Sequence, residues 1–144
     1  MVDRRVLTRL QEHVERELAV LDKYRHTTAS DLTRDHERLL VVAHALQTAI
    51  QGVLDIGAHI LADYPDSAWE EYRDIPTRLA GLGIVSAGLA ESLRKMASMR
   101  NVLVHLYLDL DTEIVAGVLA NDLADFAAFV GQVQAYLDRP TPSA

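Results

Sequence analysis

The 144-residue sequence contains no cysteine. That absence excludes disulfide frameworks, thiolate zinc sites, iron–sulfur clusters and a cysteine nucleophile, and it suits a reducing cytoplasm. Proline and glycine are scarce, at 4 and 7 residues, and two of the prolines, Pro140 and Pro142, stand near the C-terminus. With so few breakers and no strand-length alternation bounded by turn dipeptides, the chain reads as helical almost throughout. Basic residues are outnumbered, 14 Lys and Arg against 21 Asp and Glu, for a net charge of −7. That balance disfavours a protein that coats long stretches of duplex nucleic acid and leaves room for a local basic patch. No stretch approaches 18 consecutive apolar residues, so no membrane span is expected. Met1-Val2-Asp3-Arg4-Arg5 leads into mixed charge rather than a signal-peptide core, and the expected location is cytoplasmic.

What is present is 49% hydrophobic and 24% charged, the balance of one globular domain able to bury its own core. Residues 1–138 are expected to form it, with 139–144 as a flexible tail. A first helix, about Arg4 to Arg25, carries Val6, Leu7, Leu10, Val14, Leu18 and Leu21 at helical spacing. After a break at Thr27–Ser30, with Ser30 or Asp31 as N-cap, a second runs from about Asp31 to Ala62. Its stripe is Leu39, Val42, Leu46, Ile50, Val53, Ile56 and Ile60. A short helix starts around Pro76 and stops at Gly81 or Gly83. Ser86 and Asp111 are candidate caps for two more, about Ala87 to Leu106 and Thr112 to Leu137. The expected architecture is all-α, an up-and-down bundle of four main helices plus one short helix.

The six histidines form neither HExxH nor Glu-x-x-His, so no metal site is expected. Asp55 and His59 are an i, i+4 pair, open to a shared ligand or to a polar cross-helix contact at a bend marked by Gly57. Gly81-Leu82-Gly83 lacks the strand and third glycine of a phosphate loop and reads as a helix stop. The informative stretch is Met96 to Tyr107. On a helix, Met99, Val102, Leu103 and Leu106 share one arc, while Arg100, Asn101, Val104, His105 and Tyr107 share the opposite one. A guanidinium, an amide, an imidazole and a phenol on one face are the groups that hold phosphate and move protons. The same face is also open to a blander reading, in which Arg100 pairs with an acidic neighbour and His105 and Tyr107 close the helix end.

Arg100-Asn101-Val102-Leu103-Val104-His105-Leu106-Tyr107 resembles the R-x4-H-x-Y motif of the HepT-like branch of the HEPN superfamily. Asp55-Ile56-Gly57-Ala58-His59-Ile60, the Arg78–Val85 segment and the Leu89–Met96 segment resemble the family too, over about Leu39 to Leu137. The resemblance implies a HEPN-like fold and the ribonuclease toxin of a toxin–antitoxin pair, working as a homodimer with the motifs of both chains in one cleft. Arg100 would then bind and polarise the scissile phosphate of an RNA, part of a tRNA or an mRNA. His105 would be the acid/base at the ribose 2′-OH, with Asn101 orienting it or touching phosphate, and Asp55 and His59 as further cleft candidates. Metal-independent transesterification is implied, without a cofactor. The implied partner is an MntA-like nucleotidyltransferase antitoxin that transfers AMP to Tyr107. The alternative is a non-catalytic helical module that binds such a nucleotidyltransferase. The acidic residues Asp109, Asp111, Glu113, Asp122 and Asp125 read as a solvated face or as one turned to a basic antitoxin.

Overall fold

The computed structural model describes residues 2–104 and 110–140, and every regular element among them is helical. Helix α1 (Arg4–Lys23) starts where the Asp3 carboxylate accepts from the Arg5 amide at 2.9 Å, and it buries Leu7, Val14 and Leu21. The single long second helix expected from the sequence is two helices, α2 (Ala29–Arg34) and α3 (His36–Leu61). Asp35 makes the break. Its backbone is extended (φ −123°, ψ 93°), its amide closes α2 on the Asp31 carbonyl, and its carboxylate opens α3 by accepting from the Arg38 amide at 3.1 Å. One aspartate thus satisfies orphan groups of two helix ends. The N-cap of α2 is Thr28 rather than Ser30 or Asp31. Thr28 and Asp31 bond each other's amides in a capping box, which holds the Asp31 carboxyl below its usual range.

Helix α3 is the centre of the fold, packed by α1, α4 and α5. Its stripe of Val42, Leu46, Ile50, Val53, Ile56 and Ile60 is buried, and its length and composition alone would suffice for a membrane span. More than half of its most apolar window, 56%, is instead covered by neighbouring helices, as in a core helix. Helix α3 runs through Gly57 without a break. That glycine lets α4 lie directly on α3, since a Cβ there would come within 2.4 Å of the Ile75 Cγ2 methyl.

A 3₁₀ turn (Pro65–Ser67) and an irregular stretch lead into α4 (Asp74–Gly81). Gly83 is the stop. At φ +73° it lets its own amide bond the Ala80 carbonyl and the Ile84 amide bond that of Leu79, a Schellman closure. The Ser86 hydroxyl accepts from the Leu89 amide at 3.2 Å to start α5 (Ala87–Val104). The last expected helix is also two, α6 (Thr112–Asn121) and α7 (Leu123–Leu137), bent by 51°. The two halves have different partners. Capped by Asp111, α6 leans on α2, where the Thr112 and Thr33 hydroxyls meet at 3.2 Å. Helix α7 turns back to α1 and α5 and buries Phe126, Phe129 and Val133. Counting both breaks, the described residues form seven α-helices rather than four and a short one. Arg139 bonds the Gly83 carbonyl at 2.9 Å and lies over the Tyr136 ring, so the chain stays attached to the fold at that point.

Candidate functional site

Arg100 lies in the last turn and a half of the described part of α5. The sequence placed Met99, Val102, Leu103 and Leu106 on an apolar back and Arg100 on an opposite front. Leu103 is buried and Met99 partly so, as that arc requires, but the covered face is centred further round, on the Arg100 side. The buried residues Leu93, Met96, Ala97 and Leu103 project at about +20°, −40°, +60° and −60° from Arg100. The arginine therefore points into the fold, half-buried, while Val102 is 53% exposed.

What meets Arg100 there is a set of neutral oxygens and a ring. Its Nε donates to Gln51 Oε1 on α3, and its Nη1 donates to Asn101 Oδ1 at 3.2 Å. The guanidinium lies 4.6 Å from the centroid of the Tyr72 ring, a cation–π contact. Gln51 is fixed in turn, its Nε2 donating to Asp55 Oδ1 at 2.7 Å. Among the described residues no carboxylate reaches ion-pair distance of Arg100. The neighbour that meets the Arg100 guanidinium on α3 is an amide, and among the described residues two of the guanidinium's five N–H groups are used.

Tyr72 is held by its own segment. The Asp74 carboxylate accepts from the backbone amides of Glu70 and Glu71 at 3.2 and 3.0 Å. Those bonds, Glu71 first, with Arg73 and Arg78 nearby, hold the Asp74 carboxyl below the usual carboxylate range. Trp69 stacks on Tyr72 with ring centres 5.6 Å apart and planes 26° from parallel. A groove of about 630 Å³ opens between this segment and α5, lined by Trp69, Tyr72, Arg73, Ser98 and Asn101 among others.

The sequence candidates are therefore sorted by the fold. Arg100, Asn101 and Asp55 belong to one hydrogen-bonded chain, with Gln51 as its middle link. His59 does not join it. Its Nε2 accepts from the Asp3 amide at 3.1 Å and pins the start of α1 to the end of α3. Asp55 and His59 thus have separate partners and share no ligand. His105, Tyr107 and Asp109 lie outside the described residues. Gln51 and Tyr72 escaped the sequence reading. Gln51 stands one turn before Asp55, at the spacing that singled out His59, so the signal was there. Nothing local marks Tyr72, whose contact spans 28 positions.

Residues 14–133 match the family described as Ribonuclease HepT-like. The chain belongs to the HepT-like ribonucleases. The match spans Gln51, Tyr72 and Arg100 alike. The chain is 32% identical over 90 residues to the mRNA nuclease HepT of Shewanella oneidensis, covering 62% of this chain and 68% of that one. It is 28% identical over 130 residues to the tRNA nuclease HepT of Aphanizomenon flos-aquae, covering 90% and 88%. Its fold superposes with a TM-score of 0.81 on the tri-AMPylated Shewanella oneidensis HEPN toxin solved in complex with its MNT antitoxin, at 25% identity over 90% of this chain and 97% of that one. A half-buried arginine with three N–H groups not used among the described residues is chemically able to take an anion.

Proposed function

We propose that this chain is the ribonuclease toxin of a toxin–antitoxin pair, cutting RNA at a cleft shared by two copies of itself. The observation that carries this reading is Arg100, oriented by Gln51 and Tyr72, with no acidic partner among the described residues. Arg100 binds a non-bridging oxygen of the scissile phosphate and stabilises the charge that builds there in the transition state. His105 takes the proton of the ribose 2′-OH, and the 2′-oxygen attacks phosphorus. The P–O5′ bond breaks, leaving a 2′,3′-cyclic phosphate and a 5′-hydroxyl. One imidazole does not readily serve as base and acid together, and a twofold dimer brings a second His105 to protonate the leaving oxygen. Asn101, bonded to Arg100, helps fix the guanidinium.

The antitoxin in this reading is an MntA-like nucleotidyltransferase that transfers AMP to Tyr107. The AMPylated state and the antitoxin complex of the Shewanella oneidensis toxin support it. A phosphodiester on Tyr107 adds bulk and negative charge two residues from His105 and competes for the anion site at Arg100. The substrate is tRNA or mRNA, the two classes cut by the curated relatives.

The test is cleavage of tRNA and mRNA by purified wild type, Arg100→Ala and His105→Ala, with growth after induction alone and beside the neighbouring gene. Wild type is expected to cut RNA and leave cyclic phosphate ends. Both variants should lose at least 10²-fold in rate while remaining helical and dimeric. Wild type that is harmless and cuts neither RNA would overturn the catalytic reading in favour of a binding module.

A further inference from the structure

The groove beside Arg100 is part of neither the phosphate contact nor the proton transfers. One wall is the segment Trp69 to Arg73 and the other is α5, with Ala97, Ser98 and Asn101. Its volume, about 630 Å³, lies within the range of small-ligand pockets, roughly 300–1,000 Å³. The groove is continuous with the anion site, because two residues belong to both. Asn101 lines it and accepts from Arg100, while Tyr72 lines it and carries the guanidinium on its ring. A molecule whose anionic group sits on Arg100 therefore has its next group at the mouth of this groove.

The lining decides what that group is. Tyr72 is taken up by Trp69 and by the Arg100 guanidinium, so the ring left to a ligand is that of Trp69, and Glu70, Glu71 and Arg73 line the groove beside it. Two carboxylates against one guanidinium, itself paired with Glu71, make a poor track for further phosphates. The Glu70 carboxylate can accept from the N–H edge of a base, while the Trp69 ring suits its π-face. The platform is also preformed, since Asp74 clamps the amides of Glu70 and Glu71 and Glu71 pairs with Arg73 at 2.6 Å. Overall charge points the same way. A chain of net charge −7 gains little RNA affinity from its field, and stacking supplies what phosphate contacts do not.

We propose that this groove is a nucleobase subsite, in which Trp69, backed by Tyr72, stacks the base of the nucleotide next to the phosphate held by Arg100. The proposal rests on the ribonuclease reading for the identity of that phosphate, and the stacking can be measured without cleavage. Trp69 is the chain's one tryptophan, so intrinsic fluorescence reports on the groove directly. The probes are 2′-O-methyl oligoadenylate 12-mers, which carry no free 2′-hydroxyl to attack phosphorus, and abasic 12-mers with the same number of phosphates.

The expected result is a saturable change in Trp69 emission with the base-bearing oligomer, and binding of the abasic one at least about 5-fold weaker, the lower end of what one stacked base contributes. Trp69→Ala should abolish that preference in fluorescence anisotropy with labelled oligomers. Trp69→Phe keeps a ring in the packed segment, retains part of the preference and guards against loss of folding. Equal affinity for the two oligomers, or no response of Trp69 to the base-bearing one, would overturn the subsite. The two readings fail separately. A base-dependent signal from a protein that cuts no RNA removes the ribonuclease and keeps the subsite. RNA cleavage with the same kcat/KM in wild type and Trp69→Ala removes the subsite and keeps the ribonuclease.

Discussion

Gly57→Ala tests whether the contact between α3 and α4 is as tight as the geometry makes it. A Cβ at position 57 would lie 2.4 Å from Ile75 Cγ2 and 3.1 Å from Leu79 Cδ1, where ordinary contact begins at 3.4 Å. Ile75 is 1% exposed and β-branched, so its methyl cannot swing aside and α4 must retreat by about an ångström. Overpacking of this kind costs about 1–3 kcal/mol, and the gain from replacing a helical glycine by alanine returns about 1 kcal/mol. The net loss of up to about 2 kcal/mol corresponds to a fall in Tm of up to about 8 °C for a chain of this length. Gly131→Ala is the control. An alanine Cβ there meets nothing within 4 Å, so only the propensity gain applies and Tm should rise by about 2–4 °C.

The assay is thermal unfolding of wild type, the two single variants, Ile75→Leu and the double variant Gly57→Ala/Ile75→Leu. Leucine lacks the β-methyl that collides and keeps the volume, so the double variant should recover at least 1 kcal/mol of what Gly57→Ala loses. Because α4 follows directly on the segment that carries Tyr72, the single variant should also cleave RNA more slowly, and the double variant should regain the rate. A Gly57→Ala protein as stable as Gly131→Ala, or a coupling of zero with Ile75→Leu, would refute the steric reasoning.

Two further outcomes are expected. Arg100→Lys keeps the charge and loses both the Nε donor to Gln51 and the flat face on Tyr72, so kcat/KM should fall about 10²-fold with little change in Tm; a lysine variant of wild-type rate would show that charge alone suffices. Tyr136, partly desolvated and bonded to Tyr64, has its phenol pushed up to about 12, so between pH 10 and 12 the folded chain keeps a proton the unfolded chain releases, and stability should fall as pH rises through that window. Alkaline titration of the five tyrosines at 295 nm should show one late step that Tyr136→Phe removes.

The helical class was legible because apolar spacing and caps agree along most of the chain. Asp3, Ser86 and Asp111 sit where the helices start, and the stripe of α3 is buried from Val42 to Ile60, with Leu39 partly so. The breaks at Asp35 and Asp122 were not legible, for a physical reason. Apolar period continues smoothly across a break when both halves bury their stripes, and aspartate is tolerated inside a helix as well as at its end. What separates the halves is their partners, α6 for α2 and the α1–α5 side for α7, which no local window contains. Arg100 illustrates the same limit at the site. Two faces of α5 are apolar, and periodicity cannot say which one the rest of the chain covers. It favoured the arc of Met99, Val102, Leu103 and Leu106, whereas the fold covers Leu93, Met96 and Ala97 together with Leu103, leaves Val102 exposed and takes Arg100 in.

That inward placement bears on how an acidic chain can bind an anion. A half-buried guanidinium would ordinarily be stabilised by a carboxylate in direct contact, and a carboxylate there would compete with the RNA phosphate for the same donors. Gln51 removes the competition. Its amide passes the anchoring effect of Asp55 to Arg100 while presenting the cation with a neutral oxygen. Tyr72 adds attraction through its ring without accepting an N–H that a phosphate would need. The result is an arginine held from three sides by groups that fix its direction and leave its charge available. In a chain with seven more acidic than basic residues, one cation placed in this way does more for anion binding than the overall field, which is unfavourable.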